Sequence, residues 1–173
     1  MLFIEDTYME KSLQTHPFPP VYDARSRILI LGSFPSVKSR EEAFFYGHPQ
    51  NRFWGVLAAV LGEETPGSIP GKTELLLRRR VALWDVVGRC AIAGSSDASI
   101  GDVTANDLSP ILREADIRAV FCNGGTAYAY YEKLCRAPLG RGAVKLPSTS
   151  PANARWSFAR LVEAWSAAIL PFL

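Results

Sequence analysis

Residues 31–54 read LGSFPSVKSREEAFFYGHPQNRFW. The apolar run Ile28 to Leu31 enters this stretch and stops at Gly32, followed by Ser33-Phe34-Pro35-Ser36. A short, continuous apolar run halted by glycine has the pattern of a buried parallel strand. A polar loop follows, carrying Phe44, Phe45, Tyr46, His48, Pro49, Gln50 and Asn51. Then Phe53, Trp54, Val56, Leu57, Val60 and Leu61 recur at helical spacing, and Gly62 is placed to end the helix. Asn51, just before that run, is a residue type that caps helices. The stretch therefore reads as strand, aromatic loop, helix. A polar loop crowded with aromatics, a His and an Asn is a candidate site.

The same unit recurs along the chain. Residues 63–71, with Pro66, Gly67, Pro70 and Gly71, form a loop, and a basic helix follows over Lys72–Arg79. A second buried strand is predicted over Val81–Val87, and a small-residue loop over Cys90–Thr104. A helix over Asn106–Glu114 has Asn106 or Ser109 as its candidate cap. A third strand covers Ile117–Asn123, and a helix with Tyr128, Tyr131 and Leu134 inward covers Thr126–Arg136. Val144–Leu146 is a fourth, short strand, and Ala152–Ile169 is the closing helix. Residues 1–24 form an extended lead-in, with Pro17, Pro19 and Pro20 close together and His16 on the surface. Alternating strands and helices predict a parallel sheet covered on both faces. Ligands of such sheets sit outside the carboxyl ends of the strands. That rule brings segments 32–51, 87–97, 123–125 and 147–153 to one edge.

A chain of 173 residues with 48% hydrophobic and 21% charged residues is an ordinary globular domain. Its net charge of +2 permits an anionic partner without demanding one. The basic residues Lys38, Arg40, Arg52, Arg78 to Arg80, Arg141, Lys145 and Arg155 are expected near the edge loops, the three consecutive arginines as a solvated helix face. Cys90, Cys122 and Cys135 are odd in number and without a CxxC spacing. They argue against a disulfide framework, a structural zinc and an iron–sulfur site, and for a reducing cytoplasm. The sequence lacks a membrane-length apolar run, and Glu5, Asp6 and Glu10 are unlike a signal peptide. A soluble, cytoplasmic protein is expected.

Gly32-Ser33-Phe34-Pro35-Ser36 is neither a phosphate-cradling GxxxxGK[ST] loop nor a GxGxxG fingerprint, and no GxSxG elbow is present. The edge instead offers aromatic faces (Phe34, Phe45, Tyr46), carboxamides (Asn51, Asn123) and the hydroxyls of Ser148, Thr149 and Ser150. Together they suit a planar heterocycle beside phosphates. A fixed carboxamide presents one donor and one acceptor side by side. That pair matches hypoxanthine and uracil alike and rejects adenine and cytosine.

The motifs Gly32-Ser33-Phe34-Pro35-Ser36, Tyr46-Gly47-His48-Pro49-Gln50-Asn51-Arg52-Phe53-Trp54, Ala82 to Val87, Gly94 to Asp97, Asn123-Gly124-Gly125 and Leu146 to Ala154 occur here in one order. In that order they resemble the uracil-DNA glycosylase superfamily, most closely its hypoxanthine-DNA (DNA-deoxyinosine) glycosylase branch. The resemblance implies a three-layer α/β/α sandwich with a four-stranded parallel sheet. It implies a monofunctional glycosylase of base excision repair acting on DNA with deaminated bases, hypoxanthine first. Uracil removal, or an inactive nucleic-acid-binding relative, is the alternative. Two positions that are polar in the best-known relatives are apolar here, Phe34 and Leu146. The resemblance then makes Asn51 the key catalytic residue, with His48 a candidate donor. It puts the base against Gly32, Ser33, Phe34, Tyr46 and Asn123, and the DNA phosphates against Ser36, Lys145, Ser148, Thr149 and Ser150. It implies no metal, no cofactor, no covalent lysine intermediate and no membrane partner, and a monomer.

Overall fold

The computed structural model describes residues 10–173. Its strands are β1 (Ser12–Thr15), β2 (Ile28–Gly32), β3 (Val81–Asp85), β4 (Val87–Ile92), β5 (Gly101–Ala105), β6 (Ala119–Asn123) and β7 (Val144–Leu146). Its α-helices are α1 (Val37–Glu42), α2 (Phe53–Leu61), α3 (Ile69–Arg78), α4 (Ser109–Glu114), α5 (Gly125–Leu134), α6 (Arg136–Leu139) and α7 (Phe158–Ile169). Strands β3, β2, β6 and β7 form, in that order, a four-stranded parallel sheet.

Alternation along β2 sorts its side chains between two helical layers. Ile28 and Ile30 pack with Phe53 and Leu57 of α2, Leu76 of α3 and Trp165 of α7. Leu29 and Leu31 pack the other way, with Ile111 of α4 and Ala127 and Tyr131 of α5. Both faces are covered, so the strand reads as an unbroken apolar run. The result is the expected three-layer α/β/α sandwich. Helix α2 spans the residues the periodicity predicts, and Gly62 ends it in the left-handed conformation (φ 67°).

The structure departs from the sequence reading in several places. The predicted strand Val81–Val87 ends at Asp85, and the chain then enters a second sheet, antiparallel, in the order β1-β4-β5. The two ends of the loop predicted over Cys90–Thr104, residues 90–92 and 101–104, belong to that sheet. Asn106 closes the corner: its Nδ2 donates to the Asp85 and Val87 carbonyls at 2.9 and 3.2 Å. Gly88 is needed there, because a Cβ would lie 2.7 Å from Asn106 Oδ1. Asn106 therefore does not cap α4, which begins at Ser109 with the Asp107 carboxylate accepting the Ser109 N–H at 3.0 Å. Helix α3 begins at Ile69, earlier than Lys72, because Ser68 Oγ accepts the Gly71 N–H and Pro70 fits the first turn. Helix α7 begins at Phe158, not Ala152, with Ser157 as its cap.

The N-terminal segment is built into the fold. β1 pairs antiparallel with β4, and Val21 bridges Leu83 at the edge of the parallel sheet. His16, expected on the surface, is buried: its side chain is 2% exposed and its ring lies 4.5 Å from Phe18 and 6.0 Å from Phe34 and Trp84. The first nine residues of the predicted lead-in lie outside the described ones. Among the described residues no helix is long and apolar enough to cross a membrane.

Candidate active site

The carboxyl edge of the parallel sheet sets out a row of strand ends. Gly32 is in register with Asp85, and Asn123 with Leu146. Over this row the loop after α1 folds back and delivers Tyr46, held at φ 52° in the left-handed region. A non-glycine residue there costs of order 1 kcal/mol and persists only where its surroundings enforce it. The surroundings are visible: the Tyr46 ring stacks on Phe53 with centroids 4.0 Å apart and planes at 18°. Its hydroxyl sits above Gly32, where a Cβ would be only 2.8 Å away. Asp85 Oδ1 approaches the same point to 2.4 Å, so this position tolerates only glycine.

Four side chains form one hydrogen-bonded chain along the edge. Asn51 Oδ1 accepts the Phe53 N–H at 3.0 Å and the Thr149 hydroxyl at 2.9 Å. Thr149 Oγ1 in turn accepts from Asn123 Nδ2 at 2.9 Å, and the Thr149 N–H donates to Asn123 Oδ1 at 3.0 Å. Asn123 Nδ2 also donates to the Tyr46 hydroxyl at 3.1 Å. Backbone donors fix which end of each amide is oxygen, because an N–H can only be accepted. The N-cap of α2 is Arg52, one residue later than the sequence suggested; Asn51 precedes it, and its oxygen is committed to the Phe53 N–H. What it has left to offer is Nδ2, a donor. Asn123 has both N–H bonds placed and keeps one lone pair on Oδ1. Burial, with the negative charge of Asp85 adding, pushes the Tyr46 phenol far above its ordinary pKa, so it remains a hydroxyl.

The structure brings Gly32, Tyr46, Asn51, Asn123 and Thr149 together and turns other candidates to different tasks. Phe34 does not offer a stacking face; it is 7% exposed and packs with Val87, Cys90 and Ile92 under the second sheet. Phe45 is likewise core. Thr149, expected to touch phosphate, is fully buried and holds the two carboxamides to each other. Ser36 caps α1, accepting the Ser39 N–H at 3.2 Å. Ser148 Oγ accepts the Ser150 N–H, and Ser150 Oγ accepts the Ala152 N–H, so both shape the turn. Lys145 is exposed, with its ammonium 5.9 Å from the Tyr128 ring centroid. His48 Nδ1 accepts the Gln50 N–H at 3.1 Å, which leaves its Nε2–H as an outward donor. Ser33 Oγ donates to Asp97 Oδ1 at 2.9 Å.

Four residues have structural partners at this edge that the sequence did not show. Arg52, grouped there with the basic edge residues, is a scaffold: it donates to the carbonyls of Ser150 and Asn153 at 3.1 Å each, and to that of Trp156. Arg40 similarly binds the Pro35 and Gly94 carbonyls at 3.1 and 3.2 Å. Asp85 and His16 form a buried pair at 2.7 Å beside Gly32. Their partners are far apart in sequence, and no local pattern signals them. Asp97 keeps solvent access, yet desolvation raises its carboxyl above the usual range; the Ser33 hydroxyl opposes the shift and the Asp85 charge adds to it. Among the described residues, no cluster of His, Cys, Asp and Glu could hold a metal ion.

A parallel sheet with a carboxamide network at its carboxyl edge defines an α/β protein built to hold a polar, planar ligand. The model of the uracil DNA glycosylase superfamily matches residues 19–169, and the chain belongs to that superfamily. It is 37% identical to a hypoxanthine DNA glycosylase of Methanosarcina acetivorans over 151 residues, covering 87% of this chain and 94% of the relative. A hypoxanthine DNA glycosylase of Methanosarcina barkeri is 37% identical over 141 residues, covering 80% of this chain and 87% of the relative. The solution NMR structure of a Methanosarcina acetivorans protein described as a uracil DNA glycosylase superposes with a TM-score of 0.76 at 35% identity. That superposition covers 90% of this chain and 96% of the other.

Proposed function

We propose that this chain is a monofunctional DNA glycosylase of base excision repair. It hydrolyses the N-glycosidic bond of deoxyinosine and releases hypoxanthine. The observation that carries this reading is the locked pair of carboxamides, Asn51 and Asn123, clasped by Thr149 beside Tyr46. The relatives named hypoxanthine DNA glycosylase, similar over most of the chain, support it.

A base inside a duplex must be flipped out to be reached. The Asn123 oxygen, with one lone pair uncommitted, accepts the N1–H of hypoxanthine, which adenine lacks. As the C1′–N9 bond breaks, its electron pair moves onto the base. Donors are what that step needs, and the edge supplies them in Asn51 Nδ2–H and His48 Nε2–H. The N–H groups of Ser33 and Phe34, which find no acceptor among the described residues, add two more. Water then adds its oxygen to C1′, and the base takes up a proton. Base contact falls to Gly32, Ser33, Tyr46 and Asn123, and phosphate contact to exposed Lys145 with the turn of Ser148 and Ser150. Residues 1–173 act as one domain and as a monomer in the cytoplasm, without cofactor.

Uracil presents the same edge, and the structural relative described as a uracil DNA glycosylase keeps that substrate as the second reading. Alkaline cleavage of oligonucleotides holding deoxyinosine, deoxyuridine or deoxyxanthosine separates them. Breaks at deoxyinosine above the others are expected. Breaks chiefly at deoxyuridine would keep the chemistry and change the substrate. DNA binding without any cleavage would overturn the enzyme.

A further inference from the structure

Hydrolysis of an N-glycosidic bond separates charge: the base becomes negative and the sugar positive. None of the groups given a task so far serves the sugar. Asn51 presents a donor, Asn123 and Tyr46 are neutral, and Phe34 and Leu146 are buried apolar side chains. The sugar cation needs a negative neighbour, and the attacking water needs a proton acceptor.

Two carboxylates reach this edge. Asp97 is exposed to solvent, and its Oδ1 is tied to the Ser33 hydroxyl at 2.9 Å. Asp85 is different. Its side chain is 6% exposed and held in place: Oδ2 lies 2.7 Å from Nε2 of His16, itself 2% exposed. With its proton on Nε2, His16 aims it at the carboxylate, while Nδ1 is buried without a partner among the described residues. The rings of Phe18, Phe34, Phe45 and Trp84 surround the imidazole and hold it in place. The other oxygen, Oδ1, receives no hydrogen bond among the described residues. It faces the point above Gly32 that the Tyr46 hydroxyl also faces, on the side of the sheet that carries Asn123. One oxygen of this carboxylate is thus held from behind, and the other is left open toward the site.

We infer that Asp85 is a further catalytic residue, oriented by His16, and that its Oδ1 serves the sugar side of the reaction. This inference rests on the glycosylase reading. In the step, water donates a proton to Asp85 Oδ1 while its oxygen bonds to C1′. The C1′–N9 bond breaks, and its electron pair leaves with the base. The base is protonated from solvent, and Asp85 returns its proton to solvent. His16 is a positioning residue that keeps Oδ1 aimed.

The test compares DNA carrying a cationic pyrrolidine in place of the target deoxyribose with DNA carrying neutral tetrahydrofuran there. Wild type should bind the cation about tenfold or more tightly, and Asp85→Asn should lose that preference while binding the neutral analogue as before. In parallel, Asp85→Asn should lower kcat on deoxyinosine DNA about a hundredfold with KM little changed, on the scale of one lost electrostatic contact. His16→Leu should lower kcat less, and His16→Gln, which keeps a donor, should recover part of it. Equal wild-type affinity for the two analogues would overturn the inference even if no variant folds. Full activity of Asp85→Asn, or loss in Asp97→Asn alone, would also overturn it. Failure of the glycosylase reading is a separate result: wild type would cleave no damaged base at all.

Discussion

Thr149 shows what a single residue contributes at this site. Its hydroxyl donates to Asn51 and accepts from Asn123, and its amide donates to Asn123, all in a fully buried position. Replacing it with Val leaves both carboxamides short of a partner. A buried polar group left unsatisfied costs about 1–3 kcal/mol. Thr149→Val is therefore expected to lower kcat roughly tenfold or more, with KM nearly constant, while Thr149→Ser keeps the hydroxyl and most of the rate. Steady-state kinetics on deoxyinosine DNA check this; equal loss in both variants would make the residue a packing element only. The residue type was legible in the sequence as part of a hydroxyl loop, but its direction was not. Which way Thr149 or Phe34 points depends on what packs behind the loop: the third core cluster for Phe34, and the Asn51–Asn123 pair for Thr149. Asn51 was legible as a polar residue just ahead of an apolar helix, but not that Arg52 would hold the N-cap position.

Among elements, the site depends on two turns held from a distance. Arg52 ties the turn after β7 by three carbonyl contacts. Arg52→Ala is expected to free residues 150–156, read as faster amide hydrogen exchange there with the parallel sheet unchanged. Arg52→Lys should not restore protection, since one ammonium cannot reproduce the planar fork. Gly32 is the second such point. A methyl there meets Asp85 Oδ1 and Tyr46 Oη, so Gly32→Ala should displace the tyrosine and depress activity far more than stability, the overpacking cost being about 1–3 kcal/mol. Near-normal kcat in Gly32→Ala would contradict the placement of Tyr46 over the strand end. Strand β2 and helix α2 were legible because an apolar run or a helical period marks each, with glycine as the stop. Strands β4 and β5 were not: their residues are small or polar, and only Val87, Cys90 and Ile92 of β4 are buried. β5 pairs only with β4, and β4 is paired with β1, more than 70 residues away in sequence.

For the whole molecule, the N-terminal segment binds the second sheet to the site. β1 completes that sheet, and His16 reaches Asp85 next to the active edge. A chain beginning at Pro19 would strip both and leave a buried carboxylate unpaired, a loss of about 3–5 kcal/mol. Its Tm is expected to fall by about 10 °C, at the roughly 2–4 °C per kcal/mol of a domain this size. An unchanged Tm in a thermal melt would show that the segment only lies on the surface. In the proposed reading these elements serve one operation: holding an extruded base against fixed donors while its bond to the sugar breaks. Single-turnover release of hypoxanthine from deoxyinosine DNA, wild type against Asn51→Ala, tests that most directly. The carboxamide network predicts release by the wild type and a rate about a hundredfold lower in the variant, with affinity for abasic-site DNA retained. Equal rates in the two proteins would contradict it.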